Sequence, residues 1–191
     1  MANHYSCGSL AIKLDTKEQC DYLVKLLTMR DFDELLELVP EFKEDDDGYR
    51  DWLPSHDLVE SDEIKAHNGD DSEFVVCVGD HESIDGWFIS VCVRHVLKKY
   101  DLPYICGFSI AQYCSRLRTG EFGGIVYIVN KEHILSLDTI AITDHTPEYV
   151  INQLRHFSDT YEQMLEECRG GDKTKPIPNI AIIPETSTVL Q

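Results

Sequence analysis

The run Cys114-Ser115-Arg116-Leu117-Arg118-Thr119-Gly120-Glu121-Phe122-Gly123-Gly124 gathers the residue types that chemistry most often uses. Glycines leave backbone N–H groups open to close approach, and flanking arginines can complete such a nest around an anion. Cys114, Arg116, Arg118, Gly120, Gly123 and Gly124 therefore form a candidate anion site, suited to an enzyme or a small-ligand binder. The known phosphate loops differ in context. A P-loop needs Lys-Ser/Thr opening a helix, and a dinucleotide loop needs GxGxxG opening one. Here a strand pattern follows, so the simpler expectation is a tight, bulged turn, with Gly123 or Gly124 at positive φ. Cys114 also invites a nucleophile reading with His133 or His95 as its base, because cysteine catalysis needs a thiolate held by a hydrogen-bonded base. Strand alternation puts Cys114 on the face of Phe108 and Ile110, the pattern of a buried structural thiol. No catalytic residue is assigned.

Other chemistries find weaker footholds. The eight histidines include no HExxH, HxH or HxxxH spacing. Asp80-His81-Glu82 and Asp144-His145 read as ordinary turns before helices. Asp45-Asp46-Asp47-Gly48 fails as a calcium loop, because counting Gly48 as position six puts Lys43 at the first ligand and Pro54 at the twelfth, where carboxylates are required. Seven cysteines, scattered and never spaced as CxxC, argue against both a disulfide framework and a zinc site, and read as reduced core residues. Neither a metal nor a cofactor is expected.

The strongest signal is charge. Residues 41–73 hold thirteen acids against Lys43, Arg50 and Lys65, and so carry −10 of the formal −18 of the chain. Such a block repels nucleic acid and anionic membrane and attracts cationic surfaces. Asp45, Asp46, Asp47, Asp62, Glu63, Asp70 and Asp71 are the candidate partner-binding residues. The expected partner is a basic protein surface, either a nucleic-acid-binding enzyme whose channel the acids fill by mimicry, or a cationic toxin or nuclease that they neutralise. Mimicry asks for carboxylates spread at about the duplex spacing of one charge per 1.7 Å. The competing reading is an acidic surface that only confers solubility. Direct nucleic-acid binding is disfavoured, since the one basic concentration, Arg94, Lys98, Lys99, Arg116 and Arg118, is small against the total field.

The hairpin segment carries a resemblance as well. Residues from about Glu73 to Leu137 resemble a family of small, acidic bacterial, phage or plasmid proteins that run strand, helix, then a long hairpin containing A-x-x-C-S-x-x-x-x-G-E-F-G-G. Ala111, Cys114, Ser115, Gly120, Glu121, Phe122, Gly123 and Gly124 stand where that pattern puts them. After the second glycine the family often has a third, where this chain has Ile125. The resemblance implies the hairpin and a mobile-element or bacterial accessory role; it implies no activity and no catalytic residue.

Positioning these groups requires a framework. Tyr5–Leu14 alternates as a half-buried strand. Thr16 with Gln19 makes a capping pattern before a helix that buries Leu23, Val24, Leu26 and Leu27. A second short helix, Asp31–Val39, ends at Pro40. Leu58–Ala66 reads as an acidic edge strand and Glu73–Val78 as a buried one. Ser83 opens a central helix bearing Phe88, Val91, Cys92, His95 and Val96, which Asp101-Leu102-Pro103 stops. Tyr104–Arg118 and Ile125–Leu137 form the hairpin, expected at the stable centre of the sheet. Thr146-Pro147 starts the longest helix, and Gly170-Gly171 ends it. Its stripe of Val150, Leu154, Phe157, Tyr161, Met164 and Cys168 either packs on the core, the favoured reading, or forms a homodimer seam through residues 147–169. The fold class is α+β, a mainly antiparallel sheet with helices packed on one face. Residues 1–171 form one acidic domain, and 172–191 a weakly ordered tail with a short strand at Ile180–Ile183.

Composition agrees. With 191 residues, 42% hydrophobic and 27% charged, the chain can bury a real core. Its start lacks the basic and apolar regions of a signal peptide, and its longest apolar run, near Trp87–Val93, is too short to cross a bilayer. A cytoplasmic location is expected.

Overall fold

In the computed structural model the described residues are 4–45, 53–54, 56, 58–65, 72–80, 83–114, 123–138, 146–170 and 179–181. The chain begins with β1 (His4–Leu14), whose Leu10, Ile12 and Leu14 are buried in the alternation expected of them. It turns at once into α1 (Lys17–Leu27). There Gln19 Oε1 accepts from the backbone of Asp15 and Thr16 at 2.9 and 3.2 Å while Thr16 Oγ1 accepts from Gln19 N, so the capping box satisfies donors that a helix start leaves open. Asp31 caps α2 (Phe32–Leu38) by accepting from the backbone of Asp33 and Glu34. Pro40 ends that helix but opens a 3₁₀ helix, Pro40–Asp45, which carries Phe42 into the core to stack on Phe88 at 5.3 Å.

β2 (Leu58–Lys65) and β3 (Ser72–Asp80) follow, then α3 (Gly86–Lys99), β4 (Ile105–Cys114), β5 (Gly123–Val129), β6 (Ile134–Asp138), α4 (Pro147–Arg169) and β7 (Asn179–Ala181). The strand order is β2-β3-β1-β4-β5-β6, with β7 also on β4. All pairings are antiparallel except β4 with β7. β1 bridges the two halves of the sheet: His4–Cys7 pairs with β4 and Gly8–Leu14 with β3. The rest of that edge of β4, Ile105–Gly107, is filled by β7. This short strand falls one residue before the apolar patch that the sequence suggested.

The α+β class and the mainly antiparallel sheet are as expected, but the helices do not all share one face. Leu10, Ile12, Val76, Val78, Cys106, Phe108, Ile110, Tyr127 and Val129 point to one side and form a single core with α1, α2 and α3. Ile105, Ile128 and Leu135 point to the other and pack with Phe157, Tyr161, Met164 and Leu165 of α4. The reason is local: Ile105, Ile128 and Leu135 make a smaller apolar patch on the second face, and α1 to α3 can cover only the first.

Two more boundaries move. The central helix starts at Gly86, capped by Asp85, not at Ser83. Asp80 holds Ser83 through both carboxylate oxygens, and Ile84 N donates to Ser6 O, so this stretch stays extended against β1. The run Ile125–Leu137 is two strands, because Asn130 turns the chain: its Oδ1 accepts from the backbone of Glu132 and His133, and its N donates to His133 O. The hairpin thus becomes a three-stranded meander forming one half of the sheet, with its geometric centre at the β1–β4 pair.

Gly124 does not sit at positive φ. It pairs with Ala111 in regular sheet, and a Cβ there would come 2.6 Å from Ile110 O. Close approach of a neighbouring backbone, rather than turn strain, excludes a side chain. Gly170 does adopt φ 60, ending α4 as the sequence indicated.

Candidate functional site

Part of the acidic block, Leu58–Lys65, forms β2 at the edge of the sheet. β2 has β3 on one side and is the last strand in the order, so the backbone of Asp62 and Glu63 belongs to the rim. Val59 packs against the core from β2, and Glu60, its neighbour on the strand, is exposed. Asp45 closes the 3₁₀ helix. Asp46, Asp47, Asp70 and Asp71 lie outside the described residues, as do the side chains of Asp45, Asp62 and Glu63.

The anion site at the hairpin is less complete. Arg116, Arg118 and Gly120 lie outside the described residues. Gly123 faces Gln112 and Gly124 faces Ala111 in β5, and Cys114 ends β4 opposite His4. Both histidines considered as bases for Cys114 are engaged elsewhere. His133 Nε2 lies 3.1 Å from Glu167 Oε1, which also accepts from Gln163 Nε2 at 2.9 Å, while Asn130 Nδ2 donates to Glu167 Oε2 at 3.0 Å. These four side chains tie the β5–β6 turn to α4. Burial pushes the Glu167 carboxyl up, but the donors from Gln163, Asn130 and His133 outweigh it and hold the group below its ordinary range.

His95 belongs to a cluster that sequence reasoning did not assemble. Its Nε2 lies 3.2 Å from Tyr22 Oη of α1, and its Nδ1 lies 3.5 Å from Glu41 Oε2 of the 3₁₀ helix. Burial holds the imidazole below its usual pKa, against the opposing pull of Glu41, and so favours the neutral ring. The neutral tautomer suiting both neighbours carries its proton on Nδ1 and accepts the Tyr22 hydroxyl on Nε2. Lys98 Nζ stands 4.0 Å from Glu41 Oε1, and Lys99 Nζ lies 3.5 Å over the Tyr22 ring. Pro40, Glu41, His95, Lys98 and Lys99 line a hollow of about 450 Å³. The i, i+3, i+4 spacing of His95, Lys98 and Lys99 on a helix was legible, since it places all three on one face. Glu41 was not, because its position depends on the 3₁₀ turn after Pro40.

The Cys114 side chain lies outside the described residues. Cys20, Cys92 and Cys106 are buried, and burial pushes their thiols up, to about 11 for Cys20, further for Cys92 and to about 12 for Cys106. Among the described residues no group of three or more metal-ligating side chains converges, and no helix is long and apolar enough to cross a membrane.

Comparison with family models, curated proteins and solved structures found no match to this chain. The resemblance over Glu73–Leu137 therefore rests on its motif residues alone.

Proposed function

We propose that the protein is a non-enzymatic interaction protein whose acidic edge engages a basic protein surface. The observation that carries this reading is that Glu60, Asp62 and Glu63, part of the block holding −10 of the net charge, stand on β2, the last strand in the sheet order among the described residues. Complementary charge speeds association and selects the partner, and an edge position leaves room for one to approach. In its sharper form the partner is a nucleic-acid-binding enzyme whose channel the carboxylates fill; in the other it is a cationic toxin or nuclease. The mobile-element or bacterial accessory role implied by the hairpin motif agrees with either.

The homodimer through residues 147–169 keeps a narrower basis. Phe157, Tyr161, Met164 and Cys168 are taken up by the chain's own sheet, whereas Ile151 and Leu154, 48% and 45% exposed, are what remains for a second copy.

The test replaces Asp45, Asp46, Asp47, Asp62, Glu63, Asp70 and Asp71 by Asn or Gln. A partner captured from the native host is titrated with both proteins at two salt concentrations, alongside thermal melts. Weaker binding with a flatter salt dependence is expected, because screened long-range attraction is lost while the fold persists. Unchanged affinity would return the block to a solubility role.

A further inference from the structure

The hollow beside His95 has features that solubility and the acidic edge leave unexplained. Acids outnumber Lys and Arg by 35 to 17 in this chain. Lys17 and Lys25 accordingly reach carboxylates at 3.1 and 3.4 Å, and Lys131 pairs with Asp101. Lys98 and Lys99 do otherwise. Among the described residues, Lys98 meets only Glu41 Oε1, at 4.0 Å, too far for a hydrogen bond, and Lys99 meets only the rings of Tyr22 and Tyr100. Glu41 Oε1 likewise has no donor within hydrogen-bond distance among the described residues, and its buried Oε2, 3.5 Å from His95 Nδ1, makes no hydrogen bond either. Two ammonium groups and one carboxylate oxygen thus border the same hollow with their hydrogen-bonding capacity unspent on the fold.

The three α3 side chains stand on a helix, where Tyr22 Oη lies 3.2 Å from His95 Nε2 and the Tyr22 ring meets Tyr100 edge-on at 6.2 Å. Lysine side chains on a fixed backing lose less freedom on binding than they would on a mobile loop. The hollow is of the size that small ligands occupy.

We infer that the hollow lined by Pro40, Glu41, His95, Lys98 and Lys99 binds a small organic molecule carrying an oxyanion, as carboxylate or phosphate, beside an amine donor. The oxyanion takes the ammonium groups of Lys98 and Lys99, and the amine donates to Glu41 Oε1. The neutral His95 adds no charge, so two cations and one anion on the protein face an amine and an oxyanion on the ligand, singly charged as carboxylate or doubly charged as phosphate. A ligand with only an anion leaves Glu41 repelling it, and one with only an amine meets two lysines.

The test is calorimetric titration of the full chain with O-phosphoserine, which has both groups; with aspartate, which replaces phosphate by carboxylate; and with inorganic phosphate and ethanolamine, which have one group each. Saturable binding of O-phosphoserine or aspartate is expected, at least tenfold tighter than either single-group probe; because both carry an α-carboxylate and an amine, tighter binding of O-phosphoserine identifies phosphate, and equal or tighter binding of aspartate identifies carboxylate. The K98Q/K99Q double variant should lose at least tenfold in affinity, and E41Q should lose the preference over inorganic phosphate. K17Q/K25Q, the same charge change on α1, should bind as the parent does. Failure of both double-group probes to bind, or equal loss in the two lysine pairs, overturns the inference. A thermal melt of each variant keeps the outcome readable, since E41Q also touches His95.

Discussion

The two faces of the sheet are covered by different means. On the first, α1, α2 and α3 bury a continuous apolar core in which Leu23, Leu26, Phe42, Phe88 and Val96 are wholly enclosed. On the second, α4 sits over β4 to β6, and among the described residues the buried cluster there is Ile105 and Leu135 of the sheet with Met164 of the helix. A polar clamp of Asn130, His133, Gln163 and Glu167 makes up part of the attachment. Burial of apolar area is non-directional and large, whereas a partly exposed hydrogen-bonded cluster contributes little but fixes orientation. The first face therefore decides whether the chain folds, and the second decides where α4 lies.

The contrast can be broken most sharply from the first face. Phe88→Ala removes a ring stacked on Phe42 in the enclosed core, and should cost about 3–5 kcal/mol in a denaturant melt, with global loss of structure. Met164→Ala, the corresponding deletion on the second face, should cost about 2–3 kcal/mol. Its hydrogen-exchange signature should be confined to α4 and β6; loss of protection in α1 or α3 would show that the faces are one cooperative unit. Gly124→Ala forces a Cβ against Ile110 O and should cost about 1–3 kcal/mol, with its effect centred on the β4–β5 pair.

The smallest effect tests the clamp. Because Glu167 titrates below its ordinary value of 4.5 in the fold, the unfolded chain binds its proton first as pH falls. Its contribution is present above that ordinary value and disappears as pH drops through the lowered one. Glu167→Gln should cost about 1 kcal/mol at neutral pH and flatten the acid side of the stability profile. An unaltered profile would remove the clamp from the account of how α4 is held.

Much of this was legible in the sequence where local rules act alone. Thr16 with Gln19, Thr146 with Pro147 and Gly170 are signals read by the nearest turn of backbone, and each terminus fell where it was expected. The second face was legible only in part, because the stripe from Phe157 to Cys168 reveals an apolar side without saying which surface it meets. Asn130 was missed because the apolar runs on either side, Ile125–Val129 and Ile134–Leu137, hide a four-residue turn. Gly124 was read as a turn glycine because sequence cannot show a carbonyl arriving from the neighbouring strand. The cluster around His95 draws on α1, the 3₁₀ helix and α3, separated by long stretches of chain, and spacing within one helix disclosed only its three α3 members. Of the acidic candidates, sequence gave the charge, and the edge position of β2 came from pairing.

The parallel pairing of β7 has a consequence for how the chain is made. Among the described residues, Cys106 and Gly107 of β4, which pair with β5, gain their second neighbour from residues 180–181, and Ile105 gains its partner from Asn179. On a ribosome moving at ~5–20 residues per second, the intervening stretch of about seventy residues takes roughly 4–15 seconds to emerge. Throughout that interval the nascent sheet carries a notch of unpaired backbone beside β1, open to any extended segment nearby. A synonymous change that slows translation between β6 and β7 would lengthen that exposure without altering one residue of the finished protein.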